Sequence, residues 1–148
     1  MMYVFDDRLL AIYHIKDSNG FEGVLRVLNG FGVSLQGVRT RGEHSSHDGT
    51  YSFKREYATY EDFVANVYRD FEEETERYKS AATVDWSCTH FELSHSTDWD
   101  ISVFMRKMYE CHNCPDTTYL SIRINDPTDE DKALMEEWVA ALALYLEQ

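Results

Sequence analysis

Several signals of location are missing from this chain. It has no long apolar run, because the uncharged stretch from Trp138 to Leu146 is far shorter than the roughly 20 residues of a transmembrane helix. The first residues lack the basic region and apolar core of a secretory signal peptide, so we expect a cytoplasmic protein. Only three cysteines are present, and in that compartment an odd count favours thiols or metal ligands over disulfides.

Motifs of common enzymes and of nucleic-acid-binding proteins are also missing. The sequence contains no glycine-rich dinucleotide-binding or phosphate-binding loop and no nucleophile elbow. Its 14 Lys and Arg residues are scattered, without the basic stripe that nucleic-acid binding requires. The sequence therefore contains no strong motif of any of these classes.

The outstanding property of the sequence is its negative charge. It has 27 Asp and Glu residues, and its formal net charge is -13 over 148 residues. This exceeds what a small domain needs for solubility. Such a charge repels nucleic acid and anionic membranes and attracts basic macromolecules. We therefore expect a basic protein partner, no nucleic-acid partner and no membrane partner.

Length and composition predict one folded domain over residues 1–148. An aromatic content of 14% argues against disorder, because disordered chains contain few aromatic residues. We expect a monomer or a homodimer.

Three segments have the spacing of apolar residues that is typical of helices. The first covers Phe21 to Leu28 and ends near Gly30. The second begins with Thr59 as N-cap and Asp62 three residues later, a variant of the capping-box pattern. The third follows Pro127, with Thr128 as N-cap and Asp131 at the third position. Six core residues are predicted from these patterns and from the strands: Leu10, Val67, Phe71, Ile122, Trp138 and Leu142.

Apolar and alternating patterns predict about five or six strands. The stretch from Arg41 to Gly49 is rich in turn-forming residues and is predicted to be a hairpin loop. The resulting order is β-α-β-β-α-β-β-β-α. It indicates an α+β fold, with a mostly antiparallel sheet and three helices on one face. The predicted strands lie at Leu9 to Ile15, Val33 to Val38, Tyr51 to Tyr57, Val84 to Glu92, Ile101 to Tyr109 and Leu120 to Ile124.

One group of residues resembles a metal site. Cys111 and Cys114 form a C-x-x-C step, whose two thiolates suit tetrahedral zinc. Strand periodicity places Cys88 and His90 on one face, and a turn at Thr97 would bring Cys88 opposite Met108, near Cys111. The alternative is that the cysteines are small buried apolar residues and that His90 is a polar residue at the rim of a sheet.

Two enzymatic alternatives follow from the histidines. His90 and Glu92 followed by a C-x-x-C step have the order of the zinc deaminase signature, although Glu110 stands where that signature has proline. The triplets beginning at His44 and His95 have the H-x-[ST] form of two-histidine phosphoesterases, with one histidine as base and the other as acid. The alternative function is thus a zinc-dependent or two-histidine hydrolase of a small nucleotide-like substrate. Basic residues that flank the His44 triplet would bind the phosphate: Arg39, Arg41, Lys54 and Arg55.

The acidic residues support the leading hypothesis, a binding protein without enzymatic activity or cofactor. The second helix is predicted to present an outward ridge of acids, and further acids, including Asp129 and Glu130, surround the start of the third. The ridge consists of Asp70, Glu72, Glu73, Glu74 and Glu76. Tyr57, Tyr60 and Trp99 are the candidate aromatic anchors. Immunity proteins that neutralise toxins and nucleic-acid mimics that block defence nucleases have this profile of size and charge.

Overall fold

A computed structural model describes residues 2–5, 7–16, 18–35, 39–46, 49–81, 86–95, 98–108 and 117–147. Within these residues the chain forms eight strands and three helices. The first half contains β1 (Met2–Phe5), β2 (Arg8–His14), α1 (Ser18–Gly30), β3 (Ser34–Leu35), β4 (Arg39–Ser46) and β5 (Gly49–Glu56). The second half contains α2 (Tyr60–Ala81), β6 (Trp86–Ser94), β7 (Trp99–Met108), β8 (Thr117–Asn125) and α3 (Asp129–Leu142).

The strands form one antiparallel sheet, in the order β1-β2-β8-β7-β6-β4-β5, and β3 pairs with the end of β6. The predicted α+β class and the three helices are confirmed. Two strands were not expected, β1 and β4. The segment predicted to be a loop is largely strand β4, because its backbone pairs with β5 on one side and with β6 on the other. Its residues 47–48, like positions 36–38, 84–85 and 109 of other predicted strands, lie outside the described residues.

All three helices cover the same face of the sheet. Phe21 of α1 and Phe63 of α2 both contact the ring of Phe91 on β6, with centroid distances of 5.9 and 4.9 Å. Trp138 of α3 contacts Trp99 on β7 at 4.7 Å. The residues beneath the helices belong to one buried cluster. Among the described elements, no helix covers the opposite face, which we call the open face.

Five of the six predicted core residues are buried in this cluster, with Trp138, Leu142 and Ile122 fully inaccessible. The prediction for Leu10 is wrong. On β2, Leu9 and Ala11 are buried, whereas Leu10 between them is only half-buried on the open face. A run of apolar residues in a strand does not show which alternate set faces the helices, so the sequence left this choice open.

The helix boundaries follow from their end residues. Helix α1 stops at Gly30, and Gly32 just beyond has a φ of +90°, a conformation that glycine adopts without steric cost. At the start of α2, the Thr59 hydroxyl accepts a hydrogen bond from the Asp62 amide at 3.0 Å. The reciprocal bond of the capping box predicted there is displaced by one residue, because the Asp62 carboxylate accepts from the Ala58 amide at 3.3 Å. A complete capping box occurs at α3, where Thr128 and Asp131 bond to each other's backbone amides at 3.1 and 3.0 Å.

The capping box gives a prediction for stability as a function of pH. Hydrogen bonds from the Thr128 backbone and from the Trp99 indole hold the pKa of Asp131 below its usual value of 3.8. The Asp131 carboxylate therefore stabilises the fold above that pH, and this contribution is lost as the pH falls through the lowered pKa. We expect Asp131→Asn to be less stable than wild type at pH 7, with a difference that shrinks in acid. Thr128→Ala should lose about 1 kcal/mol.

Urea denaturation of the wild-type protein and of both variants, repeated from neutral to acidic pH, measures these differences. Equal stability of Asp131→Asn and wild type at pH 7, or a difference independent of pH, would contradict the role assigned to the carboxylate.

Candidate functional site

Charge is divided between the two layers of the molecule. The three helices contain 13 Asp and Glu residues and five Lys and Arg residues. The strands contain four acidic and eight basic residues. The helices therefore have a net charge of -8 and the strands a net charge of +4, and the residues outside these elements contribute the remaining -9.

Helices α2 and α3 both pack against α1, so their acidic residues belong to one layer on one side of the sheet. We define the acidic helix surface as the exposed carboxylates of these two helices, leaving out Glu61 and Asp62, which bond to Arg26 and to the Ala58 amide at the start of α2. Its members are Glu73, Glu76, Asp129, Glu130, Glu136 and Glu137. Glu72 is half-buried at its margin.

Not every acid of the predicted ridge faces solvent. The side chain of Asp70 is 16% exposed, and its carboxylate accepts a hydrogen bond from the Tyr57 hydroxyl at 3.1 Å. Neighbouring Glu74 is 15% exposed and forms an ion pair with Arg55 on β5 at 3.1 Å. These two carboxylates connect α2 to β5 and to Tyr57 just after it. Glu73 is 61% exposed and lies 3.8 Å from the Arg69 guanidinium on the same helix, in an ion pair that remains open to solvent.

The aromatic anchors predicted from the sequence do not lie on the surface. Trp99 is 4% exposed, and its indole nitrogen donates to Asp131 at 3.1 Å, so it is part of the core. Tyr57 is 5% exposed. Tyr60 is half-buried, its hydroxyl donates to the Leu25 carbonyl at 2.9 Å, and burial raises its pKa. Because Trp99 and Tyr57 are buried, they have no ring surface to offer a partner. The polar atoms of all three side chains have partners inside the fold.

The predicted metal ligands are only partly within the described structure. Cys88 and His90 lie on the open face, as expected, because Thr89 between them is buried on the other face. Cys88 is opposite Arg106 instead of Met108, since Trp86 takes the position opposite Met108. Cys111 and Cys114 lie outside the described residues. No group of three or more His, Cys, Asp or Glu side chains with the geometry of a metal site occurs in the described part of the chain.

The histidines of the two triplets lie far apart along the sheet, whereas positions 96–97 of the second triplet are outside the described residues. His44 on β4 is paired with Ser87 near the start of β6, whereas His95 directly follows the last residue of that strand. His95 is eight residues after Ser87, which corresponds to about 26 Å along the strand. A base and an acid at this separation cannot act on one phosphate, so the two-histidine alternative loses its geometric basis.

The open face contains a cleft of about 710 Å³, which we call the sheet-face cleft. Its floor is formed by Ser102 on β7 and Ser121 on β8, which are direct cross-strand partners. Glu92 on β6 is opposite Ser102. Asp100 and Arg123, which are also cross-strand partners, lie two residues from Ser102 and Ser121 on the same face. The depression forms because two short serine side chains lie among longer ones. Its remaining lining includes His90, His95 and Leu10.

The cleft combines two acceptor-only carboxylates, Glu92 and Asp100, with serines and histidines that can both donate and accept hydrogen bonds. Arg123 donates from two nitrogens to the same oxygen of Asp100, Oδ2, at 2.6 and 3.1 Å, which leaves Oδ1 of Asp100 open. Glu92 is exposed and forms no ion pair with any described residue. The sequence signal for this site was the alternation in β8, where Ser121 and Arg123 alternate with buried Leu120, Ile122 and Ile124.

Comparisons of the chain with protein-family models, with curated proteins and with solved structures find no match. Among the described residues, no helix has both the length and the apolar character required to cross a bilayer.

Proposed function

We propose that this protein is an acidic binding protein that occupies a basic surface of a macromolecular partner through its acidic helix surface. The separation of charge between the two layers is the observation that carries this proposal. The partner would be a basic protein, such as a toxin or a defence nuclease that the chain neutralises. In this role the chain would act as an immunity protein or a nucleic-acid mimic does.

A one-sided charge distribution matters for association. Carboxylates spread evenly over a protein attract a basic partner in every orientation, whereas a negative layer opposite a slightly positive one favours encounter on the negative side. Glu73, Asp129 and Glu130 project from helices that are fixed by buried aromatic contacts. Their positions are therefore set before binding, and this limits the entropy lost on association.

Internal ion pairs compensate part of the charge of the helix layer. Arg26 on α1 bonds to Glu22 of the same helix and to Glu61 on α2, both at 2.9 Å, and Arg55 on β5 bonds to Glu74. Within α2, Arg69 lies 3.8 Å from both Asp70 and Glu73. Lys132 is the only basic residue of α3, against five acidic ones. A partner that brings arginine or lysine side chains to this surface would supply the missing countercharges.

The salt dependence of association tests the proposal. A basic protein captured at low salt on the immobilised chain should associate with a rate that falls steeply as ionic strength rises. The reason is that charge steering is screened over about 10 Å at 0.1 M salt. The association rate, measured by surface plasmon resonance, should change far more with salt than the dissociation rate. An association rate independent of salt would contradict steering by the acidic helix surface.

A second prediction is that the protein binds neither DNA nor RNA. The negative helix layer would repel phosphates, and the eight basic strand residues are partly offset by four acidic ones. A mobility-shift assay at low salt is the most demanding test, because non-specific binding is strongest there. A clear shift at micromolar protein would show that the sheet, despite the net charge, is a nucleic-acid-binding surface.

A further inference from the structure

We propose that the sheet-face cleft binds a small organic cation with an ammonium or guanidinium group. Glu92 provides the negative charge, and the hydroxyls of Ser102 and Ser121 accept hydrogen bonds. The cleft lies on the opposite side of the sheet from the acidic helix surface, so this inference does not depend on the proposed function.

The strand register brings the relevant groups together. Glu92, Ser102 and Ser121 occupy one row across three adjacent strands, β6, β7 and β8. Asp100 is two residues from Ser102 on the same strand and is therefore a diagonal neighbour of Glu92, at about 7–8 Å between Cα atoms. A cation above Ser102 lies between the two carboxylates and over the serine hydroxyls.

The balance of donors and acceptors selects the ligand. The Glu92 carboxylate, Oδ1 of Asp100 and the two serine oxygens can all accept hydrogen bonds. Arg123 is the one formal positive charge of the cleft lining, and two of its nitrogens are already directed at Asp100. An ammonium group has three donors and a guanidinium group has five, and neither has an acceptor. A donor-rich cation therefore matches this lining.

Charge disfavours the other classes of ligand. The lining contains two carboxylates, Glu92 and Asp100, and one guanidinium, Arg123. Phosphates and carboxylates are disfavoured at this point of the sheet, because the carboxylates outnumber the guanidinium and the guanidinium is already directed at Asp100. A cation above Ser102 is held by hydrogen bonds to charged acceptors, which are the stronger kind.

Titration with agmatine, which has a guanidinium and an ammonium group, tests the inference. Two-dimensional ¹H–¹⁵N NMR should show saturable shifts at the amides of Ser102 and Ser121 and smaller ones on α2. Glu92→Gln keeps the shape of the side chain but removes its charge, and we expect it to weaken binding about tenfold. Ser102→Val, which fills the floor, should weaken binding while leaving the stability of the fold nearly unchanged.

The matched control is Glu73→Gln, which removes the same charge from the acidic helix surface. It should change agmatine affinity less than twofold. Equal losses for Glu73→Gln and Glu92→Gln would show a general electrostatic attraction and would overturn the proposal. The absence of saturable shifts at Ser102 and Ser121, or equal binding of the uncharged analogue butanol, would overturn it as well.

Discussion

Replacement of Trp138 by alanine is expected to destabilise the protein by about 3–5 kcal/mol. Trp138 is the largest fully buried side chain among the residues whose burial the structure describes, and it joins α3 to the sheet and to the end of α1. Its ring stacks on Phe31 at 5.7 Å and contacts Trp99 at 4.7 Å and His95 at 4.8 Å. Its indole nitrogen has no hydrogen-bond partner in the described structure, so the loss is one of packing.

Urea denaturation at neutral pH measures this loss, and Leu144→Ala is the matched control. Leu144 lies just beyond the same helix but is 74% exposed, so its truncation should change the free energy of unfolding by less than about 0.5 kcal/mol. A loss below about 1 kcal/mol for Trp138→Ala would show that α3 does not pack on the sheet as described.

The helices and the fold class could be predicted because their signals are local. Helix α3 combines a capping box with an apolar stripe, and α1 has four buried residues at helical spacing. Strand β4 has no such signal. Its sequence of serines, glycine and charged residues is typical of a loop, and it becomes a strand only because β5 and β6 provide backbone partners on both sides.

The site residues show the same contrast between features that local sequence sets and features that depend on the tertiary structure. The negative charge of α2 and α3 is a property of sequence, and helical periodicity already placed most of it outside the core. The burial of Trp99 is a tertiary property, because it depends on Trp138 and Asp131 lying above β7. The sheet-face cleft depends on register, since Ser102 and Ser121 come together only when β7 and β8 are aligned.

Charge reversal on α2 is expected to have the largest effect on binding. Glu72→Lys, Glu73→Lys and Glu76→Lys together change the net charge from -13 to -7. Association with a basic partner should slow by about tenfold or more at low salt, because steering charges mainly set the association rate. Dissociation should change much less. Folding stability should stay within about 1 kcal/mol of wild type, since Glu73 and Glu76 are exposed and Glu72 lies at the margin of the same surface.

A control variant with the same net charge separates position from total charge. Asp7→Lys, Glu92→Lys and Glu147→Lys also change the net charge to -7, and all three residues are exposed and lie outside the helices. The decisive measurement is the association rate of the wild type and both triple variants with the same captured basic protein at low salt. If the acidic helix surface steers association, the association rate of the α2 variant is much slower than that of the control variant. Equal association rates for the two variants would contradict this role of the surface.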